Sequence, residues 1–383
     1  MRPDRFITLN LIRPLRRLTP RASRLASLPL LMYHSISDDP ESGVGPYFRV
    51  STSPGRFREQ MQWLKDRGCR GVTLSDGLAW LNDSSPSPPR GEGRGEVSLS
   101  PLRPSLPQIG NRKSEIGNIK PVVLTFDDGF RDFYTAAWPI LREFGFTATM
   151  YLPTSFIGDT RRCFTPSPRR GAVPSLAGAG EGGSAGAEPD AGCGGRTNLG
   201  GRSEVPPSTL NPQPSTGDNR ECLTWAEVLE LHRAGMEFGS HTVNHPKLVE
   251  LPWARVESEI RDAKAEIENR LGVPCPKFAY PYAFPQANRD FVVRFKDLLK
   301  SNGHDACVTT QIGRHHLGDD GLQIKRLPVN QDDDLPLLAA KLDGDYDWLA
   351  PLQCSVKGIR AVIAPKPKPV HALPGRERIS AAD

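Results

Sequence analysis

Hydrophobic residues in this chain fall into two alternating arrangements. Short apolar runs predict buried strands over Leu28–Ile36, Gly71–Leu74, Val122–Phe126, Phe146–Leu152, Met236–Gly239 and Lys277–Tyr280. Between them, apolar residues recur every third or fourth position and predict helices. Phe57, Met61 and Leu64 mark one that ends near Gly68, and Ser75 or Asp76 can cap another through Leu81. Phe130, Phe133, Ala137, Leu141 and Phe144 mark a third, with Pro139 as a kink. Trp225–Leu231, Trp253–Leu271 and Phe291–Leu299 complete the set. Strands alternating with helices imply parallel strands and crossover connections, hence an α/β sheet or barrel.

Two stretches break the pattern. Residues 84–119 and 160–220 show no periodicity and hold much of the chain's 37 prolines and 36 glycines. Such tracts bury too little apolar surface to offset the entropy of ordering, so both are expected to be disordered insertions into one domain. The remainder between 28 and 345, about 220 residues without the insertions, is within single-domain range. Residues 346–383 are expected to be a C-terminal tail. Residues 1–27 are Arg-rich with a single acid, Asp4, and lack the unbroken apolar stretch of a secretory signal. They are expected to form a poorly ordered basic arm able to rest on an anionic membrane surface. The expected location is the cytoplasm or the inner face of the membrane.

The net charge of +5 is modest. The arginines of the Pro/Gly-rich tracts lack interleaved aromatics, so no nucleic-acid partner is expected. Seven scattered cysteines without a C-x-x-C pair argue against a disulfide framework or a cysteine-based zinc site.

Candidate chemistry gathers at strand ends. The Val122–Phe126 run stops at Asp127-Asp128-Gly129. Adjacent carboxylates at the end of a core strand point different ways, so one can hold a metal while the other faces what the metal holds. A turn with a helix N-cap is the plainer alternative. Ser240-His241-Thr242-Val243-Asn244-His245 follows the next strand but one. Histidines at i and i+4 on a helical turn face the same way and can share a metal ion. His34, at the tip of the first strand, reads equally as a packing residue or a member of the site.

Together these segments resemble the polysaccharide deacetylases, carbohydrate esterase family four. The resemblance rests on T-F-D-D-G at Thr125–Gly129 and S-H-T-V-N-H at Ser240–His245, and extends to Leu223–Leu231 and F-A-Y-P-Y-A at Phe278–Ala283. Leu31-Met32-Tyr33-His34 is similar to the opening strand of members that act on exopolysaccharides. The resemblance implies a distorted (β/α) barrel, usually of seven strands, and one divalent metal, commonly zinc. Carried over, Asp128, His241 and His245 are the metal ligands, Asp127 is the general base, and the backbone N–H of Tyr282 serves the oxyanion. The implied substrate is an N-acetylated amino sugar of a polysaccharide or its lipid-linked precursor. A catalytically silent carbohydrate binder and a non-sugar amide hydrolase are the alternatives.

The chain departs from the family pattern in three places. Phe278 stands where many members have arginine, and Ala283 where they have glycine, which is expected to strain a turn. The late Leu-x-His motif is replaced by Ile324-Lys325-Arg326-Leu327-Pro328-Val329, so the general acid has no assignment. His315 and His316 lie just upstream of it.

Overall fold

Strand β3, Lys120–Phe126, is the hub of the molecule. One edge pairs in parallel with β1, Leu30–Tyr33, in the register Leu31 to Leu124. The other edge is shared: its first half pairs with β2, Cys69–Val72, and its last two residues with β4, Thr149–Leu152. From β4 the sheet continues through β5 (Glu237–Ser240), β6 (Lys277–Ala279), β7 (Ala306–Ile312) and β8 (Ile324–Pro328), all parallel. Strand β8 then pairs with β1 at Leu327 and Leu31, closing a barrel of seven strands with β2 flanking β3 outside the ring. The expected (β/α) barrel is the observed one.

The computed structural model describes residues 2–18, 26–83, 120–164 and 220–353. Apart from their edges, both expected insertions lie outside the described residues, as does the chain after 353. One edge is structured: Cys163–Phe164 and Arg220–Glu221 form a short antiparallel ladder, so the regular fold extends past the boundaries at 160 and 220.

Side-chain alternation explains how the barrel presents its chemistry. Along β3, Val122, Leu124 and Phe126 pack outward with Phe57, Met61, Leu64, Phe133 and Leu141 of the covering helices. Val123 faces the other way, into a cluster with Leu30, Tyr151, Val308 and Ile324. Thr125 and Asp127 share the parity of Val123 and continue that inward row. Glycine is required at 239 because a Cβ there would lie 2.5 Å from the Tyr151 ring and 2.9 Å from the Lys277 carbonyl.

The termini differ from expectation. Pro3–Leu18 is helical, with a π-helical middle at Thr8–Ile12, and it is docked on the barrel. Arg2 pairs with Asp333 at 2.8 Å, Arg5 with Asp334 at 2.5 Å and Arg13 with Asp343 at 3.1 Å. Tyr346 donates to buried Asp4 at 2.6 Å, and Trp348 donates to Thr8 at 2.9 Å. Arginines that read as a free basic arm are therefore turned onto the acidic segment 332–345, and residues 346–353 belong to the packed body. No helix among the described residues is long and apolar enough to cross a membrane.

Candidate active site

Asp127, Asp128, His241, His245 and Tyr282 line one cleft of about 130 Å³ at the C-terminal mouth of the barrel. His34, Tyr47, Phe130, Phe164, Thr310 and Gln353 are among the residues that complete its wall. Five non-glycine residues among the described ones have a left-handed backbone, and four of them are Asp128, Thr242, His245 and Tyr282. Each such conformation costs about 1–3 kcal/mol and persists only where the surroundings enforce it. The backbone is bent here to aim side chains.

Asp128 shows why the bend is needed. Alternation along β3 would send its side chain away from Asp127, but φ of 73° lets both carboxylates reach the cleft. Asp128 Oδ1 lies 3.6 Å from His241 Nε2 and 3.4 Å from His245 Nε2, and this buried oxygen accepts no hydrogen bond. Burial, and then the charge of Asp127, push the Asp128 carboxyl up to about 8. Burial likewise lowers both histidines, keeping them neutral with lone pairs available. His241 Nδ1 lies 2.8 Å from the Ala279 carbonyl, which assigns the proton to Nδ1 and leaves Nε2 free.

Three donors with one orphaned buried oxygen fit a divalent cation. Tetrahedral coordination with bonds near 2.05 Å places ligand atoms about 3.4 Å apart, and the two separations from Asp128, 3.4 and 3.6 Å, lie at and just above that spacing. The three ligand atoms all lie within 4.8 Å of one another, and this is the trio predicted from the sequence.

The histidines do not share a helical turn as expected. His241 continues β5, donating its N–H to the Leu152 carbonyl at 3.0 Å, and the chain then bends through left-handed Thr242. Thr242 Oγ1 accepts the N–H of His245 at 3.0 Å, closing the loop. Ala283 does not bear the strain expected of it either. The left-handed residue of that turn is Tyr282, at φ of 56°. Thr310 secures the turn, donating to the Tyr282 carbonyl at 3.0 Å and accepting from the Phe284 N–H at 3.1 Å.

Asp127 is held by a residue that the sequence reading passed over. The fully buried Arg326 guanidinium straddles its carboxylate, with Nη1 to Oδ1 at 2.7 Å and Nη2 to Oδ2 at 2.8 Å. Arg326 also donates to the Thr309 carbonyl at 3.0 Å and Thr125 Oγ1 at 3.2 Å. Burial alone would raise the Asp127 carboxyl, but this guanidinium holds it well below the usual carboxylate range. Phe278, at the position of the missing arginine, packs instead against Phe295. The signal was present in the late segment, where a lone arginine in an otherwise buried strand needs an internal partner.

His34 lies in the cleft, its Nε2 3.9 Å from Asp127 Oδ2. Burial brings its imidazole down to about 4, against the opposing pull of Asp127. His315 and His316 do not reach the site. They pair with Leu28 and Ser27 beside the N-terminal end of β1, at the far end of the barrel.

A closed parallel barrel with two carboxylates and two histidines at its C-terminal mouth is the architecture of a site that can hold a metal beside a free carboxylate. The comparisons give that class a family. The family model described as polysaccharide deacetylase matches residues 115–298. YxkH of Bacillus subtilis (strain 168), which carries the same family name, is 30% identical over 262 residues, covering 68% of this chain. The match spans 58% of the length of YxkH. Among solved structures, the Streptococcus pyogenes deacetylase PplD in complex with acetate aligns with a TM-score of 0.52 at 20% identity, covering 83% of this chain and 99% of that one. IcaB from Ammonifex degensii aligns with a TM-score of 0.50 at 17% identity, over 83% and 97%. The two structures support the fold. The chain belongs to the polysaccharide deacetylase family.

Proposed function

We propose that this protein is a metal-dependent N-deacetylase that releases acetate from N-acetylated amino sugars of a polysaccharide or its lipid-linked precursor. The observation that carries the proposal is the buried Asp128–His241–His245 triangle beside an arginine-clamped Asp127. Asp128, His241 and His245 would hold the cation, with zinc the expected ion for a set of two imidazoles and one carboxylate. Bound there, it supplies Lewis acidity that polarises the acetamide carbonyl and eases deprotonation of water.

The chain's own groups do the rest. Asp127, kept ionised and oriented by Arg326, takes the proton of the attacking water. The backbone N–H of Tyr282 is assigned to the developing oxyanion. His34 is assigned the transfer to the leaving nitrogen. Its Nε2 lies 3.9 Å from Asp127 Oδ2, so a proton taken by the carboxylate can pass on to the imidazole and then to the amine. Aromatic rings at Tyr47, Phe130, Phe164 and Tyr282 suit the apolar faces of a sugar.

Mass spectrometry of N-acetylglucosamine oligomers after incubation with zinc-loaded protein tests the proposal. Products that have lost acetyl groups are expected. Oligomers that bind but return intact would make the protein a silent carbohydrate binder.

A further inference from the structure

The two candidate ligand histidines are held in different ways. His241 is oriented through its ring by the Ala279 carbonyl at 2.8 Å. The Nδ1 of His245 is buried without a hydrogen-bond partner, and its ring rests against other rings, Phe164 at 5.3 Å, Tyr282 at 4.6 Å and His241 at 4.7 Å between centroids. No hydrogen bond from another residue reaches Nδ1 to turn the ring towards Asp128. Its placement therefore follows from the backbone of the loop that carries it.

That backbone is unusual. Thr242 at φ of 67° and His245 at φ of 50° are both left-handed, and a β-branched threonine rarely adopts that region. The loop carbonyls of Thr242 and Val243 accept the N–H groups of Thr154 and Ser155 at 3.2 and 2.9 Å. The loop N–H groups turn the other way, onto one carboxylate. Glu259, on the helix Trp253–Leu271, takes the N–H of Val243 at 3.0 Å and that of Asn244 at 2.8 Å on Oε2. Its Oε1 accepts from Asn244 Nδ2 at 2.8 Å. Glu259 is 2% exposed, while Arg255, 3.4 Å away, is largely exposed. The three loop donors, more than an ion pair, satisfy the buried charge.

We propose that Glu259 is a positioning residue for the metal centre: its carboxylate fixes the left-handed loop that presents His245 to Asp128, and so sets how tightly the Asp128–His241–His245 trio holds its cation. The proposal rests on the metal-site reading above. Alanine at 259 removes all three acceptor contacts. Glutamine keeps one oxygen and turns a donor NH2 towards the loop's own donors. Both changes free His245 to drift while leaving every ligand atom in the chain.

The test uses the full chain, stripped with EDTA and titrated with zinc against a chromophoric chelator. Glu259→Ala and Glu259→Gln are expected to weaken zinc binding about 10–100-fold, the usual effect of removing a group that orients a ligand. Asn244→Ala, which deletes only the side-chain contact, is expected to weaken it less. Leu64→Ala, a buried truncation on a helix remote from the loop, is expected to lower the melting temperature without changing zinc affinity. Should Glu259→Ala fail to fold, Glu259→Gln and Asn244→Ala carry the test. Wild-type affinity in the folded Glu259 variants, or an equal loss in Leu64→Ala, would overturn the positioning role. A wild-type protein that takes up no zinc, or an Asp128→Ala variant that binds as tightly as wild type, would instead refute the metal site itself.

Discussion

Replacing Arg326 with methionine leaves the Asp127 carboxylate buried at 3% exposure with its bidentate partner gone. Burial, the largest influence on this carboxyl, is then opposed only by the weaker pulls of His241 and His34, and the group is expected to move up and take a proton at pH 7. Protonating a carboxyl whose unfolded pKa is about 3.9 costs about 4 kcal/mol at pH 7, from 1.36 kcal/mol per pH unit. That figure agrees with the loss of about 3–5 kcal/mol found when one partner of a buried ion pair is removed. The sign of the pH dependence follows. In the wild type the depressed Asp127 contributes stability above about pH 3.9, and loses it only as pH falls through the folded value. In the variant the protonation cost shrinks as pH falls towards 3.9, to about 1.5 kcal/mol at pH 5. Urea denaturation in EDTA at pH 7 and pH 5 measures both proteins. The gap between them is expected to narrow by about 2.5 kcal/mol on acidification, and the narrowing to vanish when Asp127→Asn is the common background. A gap that is equal at the two pH values, or below about 1 kcal/mol at pH 7, would refute the role given to Arg326.

Further expectations concern the cleft and the barrel wall. Asp128→Ala and His241→Ala should each abolish metal binding and turnover together, measured by metal analysis and acetate assay on the same sample. Asp127→Asn should keep the metal and lose about 10²–10⁴-fold in kcat, and loss of the metal as well would sink the base assignment. His34→Gln should retain the metal while lowering kcat with little change in KM; undiminished kcat would remove His34 from the proton path. Gly239→Ala should cost about 1–3 kcal/mol in urea denaturation, because the added carbon meets the Tyr151 ring and the Lys277 carbonyl.

The alternation of strands and helices was legible because its determinants are local, while closure into a barrel was what the family resemblance implied. Apolar runs such as Val122–Phe126 and the three-to-four spacing from Trp253 to Leu271 each announce an element without help from distant residues. The grouping of Asp128, His241 and His245 was legible for a related reason, since all three stand at strand ends, where a barrel collects chemistry; their candidacy as a ligand set came with the family resemblance. What escaped notice depends on contacts between remote segments. The left-handed turn at Thr242 is held by Glu259, 17 residues onward on another element, and nothing in S-H-T-V-N-H itself excludes a helical turn. Arg326 and Asp127 are 199 residues apart, so neither position announces the other. The docked N-terminal helix left a clue in complementary charge, since its arginines can meet the acidic run Asp332-Asp333-Asp334, where Arg2 and Arg5 find their partners. Gln353, beyond the expected end of the domain, reaches the cleft by bonding to the backbone of Thr310 and Ile312. A lone glutamine past the expected end of the domain gives no sign of that.

The most direct test of the account is acetate release from N-acetylglucosamine oligomers by the purified chain, measured as isolated, after EDTA, and after zinc is restored, with bound metal counted in each sample. Release is expected to follow the metal: lost with EDTA, recovered with one zinc per chain, and absent from an Asp127→Asn protein that still carries it. Release that persists in the stripped protein would contradict the central claim, as would none from a fully loaded one.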